Sequence, residues 1–287
     1  MVAIIKKELR TYFTSAPGYI FLAGFLFLNG MFFVVNNVTA LSSNYMATLS
    51  AMTMAFLLLV PILTMQLFAE ESKQRTDQLL FTAPITIPQI VLGKYLGALL
   101  LFLLGMLISI IFPLMMMRYG EVSFSETFGS YLGFILLGAC FISVGLFISC
   151  QTNNPIVAAI GSFAALFLLY IVNVMAINMP TDRVSSVIFL LAIVVGIAVV
   201  IYDATKNKFA PIIFALGAII VGVIIFLVNP HFYDAVIIRV LMWFSVIHRF
   251  NTFTSGILAI SDIVYYITFS AAFIYLTINA LEKRRWK

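Results

Sequence analysis

The sequence predicts an all-α, polytopic helical membrane protein of about eight transmembrane helices, and three observations predict it. Apolar residues make up 63% of the 287-residue chain and charged residues 9%, with 28 Phe, which leaves too little polar material to coat a water-soluble surface. Mean hydropathy is +1.13. Apolar stretches of roughly 17–25 residues, the length that crosses a hydrocarbon core, recur along nearly the whole chain.

Residues 1–16 read as a helix lying in the membrane interface, because Ile4, Ile5, Leu9, Tyr12 and Phe13 recur at helical spacing against Lys6, Lys7 and Arg10. Basic residues ahead of an apolar run imitate a signal peptide. The run over 17–35 outlasts a signal-peptide core and no small-residue cleavage site follows, so it is expected to stay as a span. Ala16-Pro17-Gly18 turns the chain into the bilayer. Spans are expected at about 18–37, 50–69, 90–117, 130–150, 155–178, 184–202, 209–228 and 262–281. The pair 184–202 and 209–228, joined by short turns at Pro180 to Arg183 and Tyr202 to Pro211, reads as a helical hairpin added to a six-span scheme. Residues 229–261 are too charged for a plain span and too apolar for a free loop, which suits interfacial or re-entrant helices on the outer side.

Eight spans place both termini on one side. Twelve cations, Lys6, Lys7, Arg10, Lys73, Arg75, Lys94, Lys206, Lys208, Lys283, Arg284, Arg285 and Lys287, share that side, against four, Arg118, Arg183, Arg239 and Arg249, on the other. The excess predicts cytoplasmic termini in a multi-pass protein of the cytoplasmic membrane. It also accounts for the net charge of +5 without any nucleic-acid partner.

No catalytic, metal-binding or cofactor-binding residue is assigned. Cys140 and Cys150 share one apolar run and read as buried thiols. His231 and His248 stand 17 residues apart, with no HExxH spacing and no nucleophile elbow around a serine. Gly93-Lys94 lacks the upstream glycine of a phosphate-binding loop and opens a membrane helix.

The charge that does occur is concentrated. In FAEESKQRTDQLLFTAPITIPQIVLGK, residues Glu70, Glu71, Lys73, Arg75 and Asp77 fall within eight positions. Thr76 can cap a short helix with Asp77 in its first turn, and Pro84 ends it. Thr86 and Pro88 then start the third span. Residues 70–89 therefore form a cytoplasmic elbow with Leu79, Leu80 and Phe81 at its tip. A solvated loop explains the charges but not the three large apolar residues, which need either the membrane interface or a partner's groove.

This arrangement of an acidic pair, a Thr, a Leu-Leu, a Pro and a Gly-Lys resembles the signature of the permease subunits of type-2 ABC exporters. The opening IIKKELRTYFTSAPGYI, the LLLVPILTMQLFAEE end of the second span, HRFNTFTSGILAISDIVYYI and LEKRRWK together resemble the gliding-motility-associated permease subfamily more narrowly; the resemblance weakens over 184–228. It implies one permease domain over 1–287, in which the elbow is a coupling helix seated in a separate ABC ATPase subunit. Glu70, Glu71, Lys73, Arg75, Thr76, Asp77, Leu79, Leu80 and Phe81 would make that contact. ATP and Mg would be bound by the ATPase, and a second permease, in a homodimer or a pair, would complete the assembly, with an accessory membrane protein as a further candidate partner.

Gly93 with Gly97, and Gly129 with Gly133, are small-xxx-small pairs suited to helix packing or a dimer seam. Asn29, Asn36 and Asn173 are candidates for a substrate path. Few intramembrane charges suit an amphipathic or lipid-like cargo better than an ion. A secondary carrier, or a membrane scaffold for an ATPase, remain the alternatives.

Overall fold

The computed structural model describes residues 1–76, 85–118, 120, 123–206, 209, 211–212, 214–218 and 235–285. Among these residues the secondary structure is helical. Seven helices are long and apolar enough to cross a membrane: Ala16–Thr39, Met46–Lys73, Ile87–Met116, Phe124–Gln151, Pro155–Ala176, Ser185–Asp203 and Ile260–Arg284. They match seven of the eight expected spans. The remaining one, at 209–228, lies mostly outside the described residues, and those of its residues that are described are helical.

The chain divides into two compact units, Met1–Tyr170 with Val246–Lys287, and Ile171–Ser245. In the first, α1 (Val2–Thr14) ends at the extended Ser15, and Pro17 sits in the opening turn of α2 (Ala16–Phe33), where a missing N–H costs nothing. A π-helical turn, Val34–Thr39, continues α2. The second span is broken: α3 (Met46–Thr64) gives way to a turn and then the short α4 (Ala69–Lys73). The third span begins as Thr86 and Pro88 indicate, with α5 (Ile87–Ser109) followed by α6 (Ile111–Met116). Thr86 N–H donates to Gln89 Oε1 at 3.4 Å, one arm of a capping box. The fourth span is α7 (Phe124–Gln151), and the fifth, α8 (Pro155–Asn178), belongs to this unit as far as Tyr170. The unit closes with α11 (Val246–Thr254) and α12 (Ile260–Arg285).

Lipid supplies no hydrophobic drive between helices, so their association rests on close packing and internal hydrogen bonds. Phe56 stacks on Phe134 at 4.4 Å and meets Phe102 edge-on at 5.6 Å; Phe25 meets Phe102 at 6.1 Å and Phe250 meets Phe134 at 6.0 Å. These rings join α2, α3, α5, α7 and α11 in one core. Phe27, Leu58 and Leu107 are more than half exposed, as lipid-facing side chains should be.

In the second unit, Asp182 caps α9 (Arg183–Thr205) by accepting from Ser185 N at 3.1 Å, and Lys206 ends it in the left-handed region. That cap holds the Asp182 carboxyl below its ordinary range. Ala235 N bonds to Thr181 O at 3.2 Å just ahead of α10 (Val236–Phe244).

A Cβ at Gly145 of α7 would lie 2.2 Å from Thr64 Oγ1, whereas one at Gly196 of α9 would meet nothing within 4 Å. Gly145→Ala should therefore lose about 1–3 kcal/mol through overpacking, and Gly196→Ala should gain about 1 kcal/mol from helix propensity. Thermal unfolding midpoints in detergent should move in opposite directions.

Candidate functional site

Helix α1 buries one stripe, Ile4, Glu8 and Tyr12, four residues apart. Of the five apolar side chains expected on the face of an interfacial helix, only Ile4 and Tyr12 are buried in the protein. Ile5 and Leu9 are half-buried and Phe13 is 41% exposed. Glu8 goes in instead, because a cation waits for it and because α5 offers a channel of glycines. A Cβ at Gly93 would lie 2.8 Å from Ile4 Cγ2, and one at Gly97 would lie 2.7 Å from Glu8 Cβ. Both glycines are thus covered by α1 of the same chain. At the far end of the stripe Tyr12 donates to Leu63 O at 2.8 Å.

The cation is Lys94, the eighth residue of α5 and 1% exposed. Its Nζ donates to Glu8 Oε1 at 2.9 Å and lies 2.9 Å from Glu71 Oε2. Lys7 reaches the other oxygen of Glu71 at 2.6 Å, and the Phe68 ring faces Lys94 at 5.1 Å. Two ammonium groups and two carboxylates form a neutral node that ties α1, α4 and α5 together. An isolated buried ammonium would be prohibitively costly, so the node holds only with its members in register. Partial burial pulls the Lys7 ammonium down, but the hydrogen bond and charge of Glu71 raise it by more, to a value above its ordinary 10.5. A raised cation contributes stability that is complete below 10.5 and lost only as pH climbs through the higher folded value. At neutral pH Lys7 stays charged.

Residues 70–76 of the expected elbow adjoin this node. Glu71, expected at a partner contact, is turned inward to Lys7 and Lys94. Glu70 accepts from Gln74 Nε2 at 3.2 Å. Lys73 and Arg75 are exposed. Arg75 takes a left-handed conformation (φ 55°) and Thr76 N returns to Glu71 O at 3.0 Å, a helix ending normally given to glycine. Thr76 Oγ1 also donates to Glu71 O at 3.3 Å. Asp77, Leu79, Leu80 and Phe81 lie outside the described residues.

The other candidates do not join this site. Gly129 and Gly133 pack on α11, where their Cβ positions meet Phe253 O at 3.0 Å and Phe253 Cβ at 2.7 Å. Asn29 is fully buried and accepts from Tyr45 at 2.9 Å, while Tyr45 stacks on Tyr131 at 5.8 Å. Asn36 is half-buried in the π-helical turn. Asn173, in the second unit, accepts from Ser245 Oγ at 3.1 Å. Sequence reasoning missed Glu8 and passed over Lys94. The available signals were a lone acid in a basic amphipathic helix and a lysine set among the first turns of an apolar span.

Comparison with curated proteins finds none that matches. The description of an ABC-2 family transporter protein matches residues 9–229. That range takes in α1 from Leu9 onward, residues 70–89, and residues 184–228, where the expected hairpin departs from a six-span scheme. The resemblance to the gliding-motility subfamily is not part of this match. Seven helices long and apolar enough to cross a membrane and a family match over most of the chain agree: this is a membrane permease that belongs to the ABC-2 transporter family.

Proposed function

We propose that the chain is the transmembrane subunit of an ATP-driven exporter, which couples hydrolysis by a separate ABC ATPase to the movement of an amphipathic or lipid-like substrate out of the cytoplasm. Family membership implies an ABC ATPase partner. The observation that carries the coupling reading is the Lys94 node. It fixes both flanks of the elbow, Glu71 before it and Lys94 after it, to α1. A loop anchored at both ends by buried ion pairs can deliver a push to the spans, where a free loop would absorb it.

In this reading the N- and C-termini are cytoplasmic, a second permease completes the path, and ATP with Mg stays on the ATPase. Glu70, Lys73 and Arg75 border the contact, Leu79 and Leu80 enter an apolar groove, and Glu71 works from behind by holding the elbow's base. The carrier alternative needs a membrane acid free to take up coupling ions. Asp262, in the first turn of α12, is instead held by Arg249 at 2.7 Å, which favours the ATP-driven reading.

Two outcomes test the proposal. Burying a leucine is worth about 1.5–3 kcal/mol, so Leu79→Asp with Leu80→Asp should lower ATPase affinity more than about a hundredfold while insertion and detergent stability persist. Co-purification at wild-type yield from cell membranes would overturn the docking role. Lys94→Met strands the Glu8 carboxylate and leaves Glu71 with Lys7 alone, and should cost about 3–5 kcal/mol, seen as a lower unfolding midpoint together with loss of ATPase retention. Adding Glu8→Gln and Glu71→Gln should recover most of the midpoint, because apolar and neutral substitution of a whole buried ion cluster is tolerated far better than removal of one member.

A further inference from the structure

The break in the second span is bridged by a side chain from the fourth. In a continuous α-helix the amides of Phe68 and Ala69 would bond to the carbonyls of Thr64 and Met65. Here Leu67 N takes Thr64 O at 3.2 Å. The Phe68 and Ala69 amides turn instead to Ser149 Oγ of α7, at 3.1 and 3.2 Å. Ser149 Oγ in turn donates to Met65 O at 3.3 Å. Ser149 is fully buried, and one helical turn earlier Gly145 brings α7 against Thr64.

This is a one-for-one exchange of hydrogen bonds. If the span closed into a continuous helix, Phe68 N–H would return to Thr64 O, and Ala69 N–H would replace the Ser149 hydroxyl on Met65 O. The freed hydroxyl could turn to its own helix, as Ser143 Oγ does to Cys140 O at 2.6 Å and Ser109 Oγ does to Met106 O at 2.7 Å. Both arrangements give the Phe68 and Ala69 amides an acceptor, so neither is prohibitive in the buried interior.

We infer that residues 65–68 are a two-state joint in the second span, and that Ser149 is the positioning residue that selects the broken state and fastens the elbow helix α4 to the fourth span. Resting on the proposed coupling role, the inference means that a displacement of the elbow reaches α7 through one hydroxyl as well as reaching α1 and α5 through the Lys94 node. A two-state element biased from both ends is what long-range coupling physically requires.

The test uses the full chain in lipid nanodiscs with Cys140 and Cys150 replaced by alanine and spin labels at Gln74 and Gln151, both exposed. Electron–electron distance measurements read the separation of α4 from the end of α7. Ser149→Thr keeps the hydroxyl, and Ser149→Val has nearly the shape of threonine without it. The threonine variant should keep the single wild-type distance. The valine variant should show a second distance whose population rises roughly tenfold, the factor that about one hydrogen bond's preference represents. Ser149→Ala should behave like valine, and it replaces valine if that variant does not fold. An unchanged distribution in both valine and alanine variants would overturn the inference, as would a threonine variant that shifts as valine does, since packing rather than the hydroxyl would then be responsible. The measurement needs no ATPase, so its outcome is independent of the retention assay that tests the proposed function.

Discussion

A lysine ammonium sealed among helices is the constraint on which the packing of α1, α4 and α5 in this permease depends. Lys94 can occupy its place only while carboxylates from two other elements approach within hydrogen-bonding distance. That requirement sets the depth of α1, the rotation that turns Glu8 rather than Phe13 inward, and the direction in which Glu71 points. Gly93 and Gly97 follow from it, since α1 must come close enough for a glutamate side chain of ordinary length to span the gap. The node has no net charge, so it achieves this without attracting or repelling a partner at long range.

The second span answers a different demand. A straight apolar helix would carry the chain through the membrane but could not redirect it into the short α4 beside the charge node. Pro61 inside α3, the turn after Thr64 and the side-chain bridge from Ser149 separate a membrane-crossing part from a short lever. The lever is gripped on further sides too. Arg284 near the end of α12 approaches Ser72 Oγ at 3.4 Å and donates to Asn153 Oδ1 at 3.1 Å. Helices α1, α5, α7 and α12 therefore all touch a helix five residues long.

Much of the fold was legible because its signals are local. Pro17 at the opening of α2, Thr86 with Pro88 before α5 and Asp182 ahead of α9 each act through the backbone within a few residues. The site was less legible because its partners are distant in sequence. Glu8 stands among Lys6, Lys7 and Arg10, and nothing near it reveals that its partner Lys94 lies 86 residues on. Lys94 was weighed against a phosphate-binding motif and set aside, although a lysine in the first turns of an apolar span asks for a carboxylate. Ser149, one hydroxyl in an apolar run, carries no pattern at all until the break in α3 is seen. The small-residue pairs were recognisable as contact points, but which helix they would receive was not, since spacing says how close a neighbour can come and not which neighbour it is.

The lock between α1 and α5 also orders the making of the protein. Chains emerge from the ribosome N-terminus first, so Glu8 is synthesised long before the lysine that neutralises it. Until Ile87–Ser109 enters the membrane, α1 has neither its counter-ion nor the glycine channel that receives Ile4, and it must wait at the surface as a loose amphipathic segment. Helix α1 can be seated only after the third span is in place. A nascent chain that stalls or loses its third span keeps an unsatisfied acid and an exposed apolar stripe at its very beginning, a mark by which an incomplete permease differs from a finished one.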